Sequence, residues 1–475
     1  MLNTEEWQSH DLVGLADLAA AGDISRREIL LTAIREIERL NPVLNAVTLQ
    51  DFETALAAFD ASPADQRFSG MPYLIKDLHA PVKGLPLSNG SERFKGTVFD
   101  FDSTTVSRLR GAGFGFLGRS ASPEFGLSLC TESIAWGTTR NPWNTAHGAG
   151  GSSGGAGSAV ASGMLPAAHA TDSAGSIRIP AAFNGAIGLK PTRGLNAFGP
   201  HRGDPNHGMS HEHAITRTIR DTAALLDVTA GPDAGCPYFT KAPDERFETL
   251  ITRPPQPLKI GFITTRFDGL PVHPASRKAV EDTARLLADL GHEVTEEMPK
   301  FDSTLLTQTM IRLLMASLAG MFVGVPMDKD GALDGFQHIT QETIRFAMAT
   351  SLGEHLHRAA IINEQVRTLA QYWERYDILV TPSTDGPAPI HGALPMDRGT
   401  LDEFLEGLFA ISPFSAAFNA SGQPAISLPL AQSDDGLPVG VQFVARFADD
   451  ATLLQLAAQI EAASTWPGVA PAPTA

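Results

Sequence analysis

Residues 148–163 read GAGGSSGGAGSAVASG and place glycine on both sides of two adjacent serines. Glycine allows backbone conformations that other residues avoid, and the run of small residues lets neighbouring backbone approach closely. Such a loop can cradle phosphate, but no Gly-Lys-Ser/Thr ends it, and it lacks the spacing and the ribose-binding acid of a dinucleotide site. A flexible linker is the alternative that composition suggests, but the apolar sequence on either side favours a structured loop.

A second stretch, ATDSAGSIRIPAAFNGAIGLKPTRG at residues 170–194, carries a serine on a predicted tight turn. Ser176 follows Gly175 and precedes Ile177. A serine at a boundary between two elements can project its hydroxyl group while nearby N–H groups point to one spot, which is the geometry of an oxyanion hole. Gly-Ser turns are common, so this stretch alone is a weak indication.

A nucleophilic serine also needs a base. His147 and His169 lie close in sequence, but we expect each of them to be a loop or helix-end residue. Lys76 ends the apolar run GMPYLIKDL at residues 70–78, so partial desolvation should lower the pKa of its amine and favour the neutral form. From this run alone, an exposed lysine at a strand end would be the more ordinary interpretation.

Taken together and in this order, GMPYLIKD, GGSSGG and DSAGSIRIPAAFNGAIGLKPTRG resemble the amidase signature family. Ser152 and Ser176 are 24 residues apart, as are the two catalytic serines of that family. The resemblance extends to TESIAWGTTRNPWN at residues 131–144, YDILVTPS at 376–383, and SGQPAISLPLAQSDDGLPVGVQFVARFADDATLL at 421–454. It therefore covers most of the chain.

The resemblance implies roles for three side chains and their surroundings. Ser176 is expected to be the nucleophile, Ser152 a bridging serine that follows a cis peptide bond from Gly151, and Lys76 the base. The N–H groups expected to form the oxyanion hole are those of Ser173, Ala174, Gly175 and Ser176. The supporting residues are expected to be Gly151, Ser153, Asp172 and Arg178, the last two holding the loop through ionic hydrogen bonds. No metal or organic cofactor is expected.

Two positions depart from the family pattern. Ala174 stands where the family usually has glycine, and Ser173 where it often has threonine or isoleucine. A methyl group in the oxyanion hole is tolerated where φ is negative and the side chain points away. The segment DSAGS with the preceding AHA is similar to the subgroup that contains the hydrolase of cyclic nylon oligomers and some aryl acylamidases.

Leu127, Leu129 and Cys130 fall where this family lines its acyl pocket. Their apolar character favours a substrate that is uncharged near the nucleophile, although ordinary core packing would explain them as well. The segment 310–325, rich in methionine and leucine, could line a substrate channel, but such segments more often form core or a dimer interface.

Short apolar strands alternate with amphipathic helices along the chain, which favours an α/β architecture. Strands are predicted at residues 70–78, 114–119, 258–263, 292–298, 377–381, 424–429 and 438–445, and helices at 274–290 and from about residue 450. Residues 1–65 are predicted to be helical, with a capping box formed by Ser25 and Glu28 and a stop at Asn41-Pro42.

We therefore expect a single large domain whose mixed β-sheet is covered by helices on both faces. No repeat or linker divides it. The expected parts are an N-terminal helical segment packed on the core (1–65), the core with the catalytic residues (66–255) and a C-terminal part (256–475) that includes the variable pocket regions 305–360 and 385–412.

Charge and cysteine content exclude several classes of protein. The 475 residues carry a net charge of −17, which disfavours binding to nucleic acid or to anionic membranes. The two cysteines have no zinc spacing, and His201, His207, His211 and His213 are expected to be loop residues rather than metal ligands.

The N-terminus has no signal-peptide pattern, and no apolar run is long enough to span a membrane. We expect a cytoplasmic monomer or homodimer.

The function that the sequence predicts is hydrolysis of small, mostly uncharged amides: anilides, carboxamides, cyclic amides or carbamates. The alternative is a glutamine-hydrolysing subunit of a tRNA-dependent transamidation complex. That function requires partner subunits and usually a basic residue for the glutamine carboxylate, and no such residue is identifiable. A binding protein on an inactive amidase scaffold is disfavoured because Lys76, Ser152 and Ser176 are all present.

Overall fold

The computed structural model describes residues 2–61, 66–325, 329 and 331–472, and its centre is a mixed eight-stranded sheet. The strands are β1 (Val47–Gln50), β2 (Pro72–Lys76), β3 (Gly115–Ser120), β4 (Glu132–Ser133), β5 (Gly137–Thr138), β6 (Ala167–Asp172), β7 (Ile187–Lys190), β8 (His211–Thr216), β9 (Lys259–Phe262), β10 (Glu293–Glu296), β11 (Ile378–Pro382), β12 (Ala425–Gln432) and β13 (Pro438–Ala445). The helices are α1 (Thr4–Ser9), α2 (Leu12–Ala21), α3 (Arg26–Leu44), α4 (Phe52–Asp60), α5 (Thr104–Gly111), α6 (Gly154–Ala161), α7 (Arg178–Asn184), α8 (Ile219–Thr229), α9 (Phe247–Leu250), α10 (Pro274–Asp289), α11 (Ser303–Ala316), α12 (His338–Ala349), α13 (Leu352–Ala370), α14 (Leu401–Ile411), α15 (Ala416–Ser421) and α16 (Asp450–Ala463).

The large sheet has the strand order β10-β9-β11-β13-β12-β7-β8-β6. β9 pairs in parallel with β10 and β11, whereas the strands from β11 to β6 pair antiparallel. Side chains alternate between its two faces: Ile378 and Val380 pack with α10 and α16, and Leu379 packs with α11 and α13 on the opposite face. The predicted α/β class, with a mixed sheet covered on both faces, is confirmed.

Two of the predicted strands belong to a separate small sheet. It has the order β1-β3-β2, with β2 parallel and β1 antiparallel to β3. All five residues of β2 are buried, including Lys76 at its end. Lys76 is therefore an interior residue, and the interpretation as an exposed strand-end lysine is wrong.

The sequence predicted a wholly helical N-terminal segment, and this prediction is wrong in part. Its helices α1 to α4 are interrupted by β1, whose residues pair with β3. The capping box of Ser25 and Glu28 is confirmed at the start of α3. Asn41-Pro42 does not stop that helix, which continues to Leu44 because Asn45 adopts φ 50° and donates its N–H to Asn41 O as the cap.

The regions predicted to be variable contain all of α12 and α14, most of α11 and the first half of α13. Residues 326–328 and 330, within the first of these regions, lie outside the described part. No helix among the described residues combines the length and the apolar character needed to cross a membrane. The division of the chain at residues 65 and 255 stays a prediction.

Candidate active site

Lys76 lies at the end of β2 with its amine directed at two hydroxyl groups. Its Nζ is 2.8 Å from Ser152 Oγ and 2.9 Å from Thr171 Oγ1. Burial lowers the pKa of Lys76 well below its ordinary value, although the carboxylates of Asp172 and Glu212 act in the opposite direction. Burial therefore favours the neutral form of this amine, which can accept a proton.

Ser152 lies in the glycine-rich loop that precedes α6. The peptide bond between Gly151 and Ser152 is cis. A Cβ atom at Gly151 would lie 2.6 Å from Ser128 O, so only glycine fits there. Ser153 Oγ donates to Thr171 O on β6 at 3.3 Å. These contacts hold the loop against the edge strand of the large sheet.

Ser176 lies on the turn between β6 and α7. Gly175 has φ +121°, and a Cβ atom there would lie 2.6 Å from the side chain of Ile179. The carboxylate of Asp172 accepts the N–H groups of Gly175 and Ile177 at 2.7 and 3.1 Å. Both neighbours of Ser176 in the chain are thus tied to Asp172, which fixes the position of the serine between them.

An ion pair anchors this turn. Arg178 donates to both carboxylate oxygens of Asp172 at 3.0 Å, and neither side chain is exposed. Arg178 also donates to Ser415 O and Gln442 Oε1, which joins the turn to β13. Burial alone would raise the pKa of Asp172, but the charge and hydrogen bonds of Arg178 and a hydrogen bond from Asn419 lower it below its ordinary value. The carboxylate therefore stays ionised.

The four N–H groups predicted to form the oxyanion hole are not equivalent. The N–H of Gly175 is already donated to Asp172. Those of Ser173, Ala174 and Ser176 have no acceptor among the described residues. Ala174 does not have a positive φ, so its methyl group introduces no backbone strain. Three donors are thus available for an oxyanion.

Ser152 and Ser176 open into one cavity of about 920 Å³, part of it open to solvent. The large apolar residues that line it are Leu78, Phe125, Leu127, Leu129, Ile311, Leu314, Met315, Leu318, Leu408 and Phe409. The described lining includes one ionisable side chain, His79, and burial lowers its pKa well below the ordinary value. The described lining of this cavity is thus mostly apolar and includes no carboxylate, lysine or arginine. No hydrogen bond joins Ser152 Oγ to Ser176 Oγ in the described structure.

A family model described as Amidase matches residues 28–454. The chain belongs to the amidase family. A 6-aminohexanoate-cyclic-dimer hydrolase of Paenarthrobacter ureafaciens is 36% identical, over 98% of this chain and 97% of that protein. A solved structure of 6-aminohexanoate cyclic dimer hydrolase complexed with substrate superposes with a TM-score of 0.90, at 34% identity and with 98% of each chain covered. A bacterial aryl acylamidase shares the fold, with a TM-score of 0.83, 24% identity and 96% of each chain covered.

Hydrolysis of an amide bond is therefore the reaction of this amidase. The resemblance that the sequence predicted from three motifs is confirmed, since the match extends over most of the chain.

The pocket residues predicted for this amidase divide into two groups. Leu127 and Leu129 line the cavity, but Cys130 is absent from the described lining. The Cys130 side chain is buried in a cluster with Ile179 and Phe183, and burial raises the pKa of its thiol to about 12. Leu129 and Cys130 belong to the same buried cluster, but of the two only Leu129 is among the described lining residues of the cavity, and the sequence does not reveal which one that is.

The methionine- and leucine-rich segment does line the cavity, through Ile311, Leu314, Met315 and Leu318. Met310 belongs instead to the core. Sequence reasoning missed Phe125, which comes from a short 3-10 turn, and it did not single out Leu408 and Phe409 of α14, although both lie in the predicted pocket region 385–412. The spacing of apolar residues in α14 predicts a buried face, but only the fold shows that this face borders the cavity.

The histidine predictions for this amidase need correction. His169 is neither a loop nor a helix-end residue: it lies in β6 and is fully buried. His211 and His213 are buried in β8, whereas His201 and His207 are in a loop as predicted. No cluster of three or more potential metal ligands occurs in the described residues. Polar and apolar residues alternate in these two strands. A search for continuous apolar runs therefore does not detect them.

Proposed function

We propose that this amidase hydrolyses small, mostly uncharged amides through an acyl-enzyme on Ser176, with Ser152 as relay and Lys76 as base. The observation that carries the proposal is the 2.8 Å contact between Lys76 Nζ and Ser152 Oγ at a cavity into which Ser176 also opens. A buried neutral amine beside a hydroxyl group is the activation that a serine nucleophile requires.

The mechanism begins when Ser176 Oγ attacks the substrate carbonyl and its proton passes to Ser152, whose own proton passes to Lys76. The tetrahedral oxyanion accepts hydrogen bonds from the N–H groups of Ser173, Ala174 and Ser176. The leaving amine takes its proton back through Ser152, and water then hydrolyses the acyl-enzyme. Hydrogen bonds between catalytic groups often form only when substrate binds, so the Ser152–Ser176 contact is expected to close at that stage.

The cavity lining supports an uncharged substrate. A charged group transferred from water to this apolar wall would lose solvation without gaining a partner. Anilides, short carboxamides, cyclic amides and carbamates (urethanes) satisfy this condition, and a cyclic amide is the named substrate of the relative from Paenarthrobacter ureafaciens. The cytoplasmic location and the monomeric or homodimeric state stay predictions.

Glutamine hydrolysis for a transamidation complex is the second candidate, and the cavity disfavours it. Glutamine carries a carboxylate and an ammonium group, and each would need a charged or strongly polar partner on binding. The described lining supplies Thr307, Ser412 and Asn206 but no carboxylate, lysine or arginine.

A release assay tests the proposal. Wild type and Ser176→Ala are compared on p-nitroanilides, simple carboxamides, cyclic amides, aryl carbamates and glutamine. Amine release from the uncharged substrates that is lost in the variant supports the proposal. Ammonia released from glutamine alone would favour the transamidation function, and turnover that survives the substitution would show that Ser176 is not the nucleophile.

A further inference from the structure

Lys76 and the serines belong to different sheets. Lys76 ends β2, an edge strand of the small sheet, whereas the Ser176 turn follows β6, an edge strand of the large sheet. The two edges pack side by side, so strand pairing within each sheet does not set the distance between base and nucleophile. The contacts across this boundary must do so.

One of these contacts is made by His169. The backbone N–H of Lys76 donates to His169 Nδ1 at 3.3 Å. Because Nδ1 accepts, the hydrogen of the neutral ring lies on Nε2. His169 Nε2 is directed to Glu212 Oε1 at 3.5 Å and has no acceptor with good hydrogen-bond geometry among the described residues. The ring thus links the Lys76 backbone to a buried carboxylate.

The strand register explains why these groups meet. In the antiparallel pair of β6 and β8, Thr171 lies opposite Glu212. Side chains two residues apart share a face, so His169, Thr171 and Glu212 face the same side. Thr171 contacts the amine of Lys76 at 2.9 Å, which identifies this side as the one packed on β2. His169 and Glu212 are 0% and 1% exposed.

Glu212 is the carboxylate best suited to balance a proton on Lys76. Asp172 also acts on Lys76, but it is paired with Arg178. Glu212 accepts a hydrogen bond from Thr105 Oγ1 at 2.7 Å, and Arg202 acts on it only at longer range. The other charged or titratable groups around Lys76 are Arg119, which donates to its carbonyl oxygen, the adjacent Asp77, and His79. A buried ammonium group is stable only beside such a negative charge.

We propose that His169 and Glu212 are positioning residues for the base: His169 fixes Lys76 across the boundary between the sheets, and Glu212 stabilises the proton that Lys76 receives. The proposal rests on the proposed role of Lys76. Neither residue belongs to the three motifs that predicted the site, and neither is among the described residues that line the cavity.

A fluorophosphonate reagent tests the pair without knowledge of the substrate. Ser176 Oγ forms a bond to phosphorus, the P–F bond breaks, and the serine proton passes through Ser152 to Lys76, so fluoride leaves and no co-reactant is needed. The rate of labelling is measured against pH, with the labelled residue identified by mass spectrometry. It should rise with pH as Lys76 loses its proton.

Glu212→Gln removes the charge and keeps the shape. Without the carboxylate the protonated form of Lys76 is less stable, so the acid limb of the profile should move to lower pH by about one unit. The weaker base should also lower the plateau rate by about tenfold. Thr105→Val removes a hydrogen bond to Glu212 without changing its charge and should leave the limb in place. A limb that does not move in folded Glu212→Gln would overturn the role of Glu212.

His169→Asn and His169→Leu form a matched pair. The Oδ1 atom of asparagine can replace Nδ1 as the acceptor of the Lys76 N–H, whereas leucine cannot, so labelling should be several-fold slower in His169→Leu. Equal rates would overturn the role of His169. Thermal unfolding establishes that each variant is folded. Should Glu212→Gln not fold, Glu212→Asp withdraws the charge by one methylene group and should move the limb the same way by a smaller step.

Two further variants separate this proposal from the one on which it rests. Ser176→Ala lacks the hydroxyl group that reacts and should not be labelled at position 176. Lys76→Ala keeps Ser176 but should not be labelled at an appreciable rate. If Lys76→Ala is labelled as fast as wild type, the proposed base is wrong and the positioning pair is overturned with it. If Lys76→Ala is inert and Glu212→Gln keeps the wild-type profile, only the positioning pair is overturned.

Discussion

The two sides of the candidate active-site cavity are built from different interactions. On one side, the turn that follows β6 is held by polar interactions. Asp172 accepts hydrogen bonds from the N–H groups of Gly175 and Ile177 and forms an ion pair with Arg178. On the other side, α11 and α14 present apolar side chains such as Leu314 and Leu408. Hydrogen bonds fix atoms in definite positions, as catalysis requires, whereas an apolar wall selects substrates by shape and lack of charge.

The largest effect is expected on the hydrogen-bonded side, from Lys76→Ala. Without its base, Ser152 cannot accept the proton of Ser176, so kcat should fall by about 10⁴-fold. KM should change little because the apolar wall is untouched. Steady-state kinetics on the best substrate of the release assay measures both. Lys190 on β7 is equally buried and outside the cavity: Lys190→Met should lower the Tm but leave the folded protein active. Comparable activity in Lys76→Ala and wild type would place the base elsewhere.

The ion pair should dominate stability rather than substrate choice. Arg178→Met leaves Asp172 buried without its charged partner, which should lower the free energy of unfolding by about 3–5 kcal/mol. Urea denaturation measures the loss. The exposed pair of Arg398 and Asp397 provides the control, since Arg398→Met should cost less than about 1 kcal/mol. Equal costs for the two substitutions would contradict the view that the turn is held by this pair.

A smaller and different effect is expected on the apolar wall. Leu314→Ala removes apolar contact area from the cavity, which should raise KM for bulky uncharged amides by about tenfold, with kcat little changed. Leu305→Ala on the same helix is the matched control, because Leu305 is 39% exposed and does not line the cavity. A fall in kcat at unchanged KM would mean that the wall positions the reacting groups and that the two sides are not separate.

The smallest effect is expected for the chemical reactivity of Cys130, which is buried beside the apolar wall of the cavity. Its thiol is buried and its pKa is raised to about 12, so iodoacetamide should leave Cys130 unmodified in the native protein at pH 8 while it alkylates the more exposed Cys236. Mass spectrometry of peptides from the native and the urea-unfolded protein measures this. Alkylation of Cys130 at the rate of Cys236 would place it in the cavity after all.

The apolar runs predicted β2, β3, β9, β11, β12 and β13 because buried strands need continuous apolar residues. The strands β6 and β8 were missed, since His169, Asp172 and Glu212 interrupt any apolar pattern. β1 was missed because the helical pattern around it is stronger. These three strands lie next to the candidate catalytic residues, and polar residues at such a site obscure the periodicity by which strands are recognised.

The sequence by itself determined the family, the α/β class and the three candidate catalytic side chains, because glycine-rich turns and a lysine after an apolar run are local patterns. Only the tertiary structure decided that Lys76 and the Ser176 turn belong to the edges of two different sheets, that His169 contacts the backbone of Lys76, and that Leu129 rather than Cys130 lines the cavity. Contacts between segments 93 or more residues apart, such as that between Lys76 and His169, depend on how the sheets pack, and no local pattern encodes that packing.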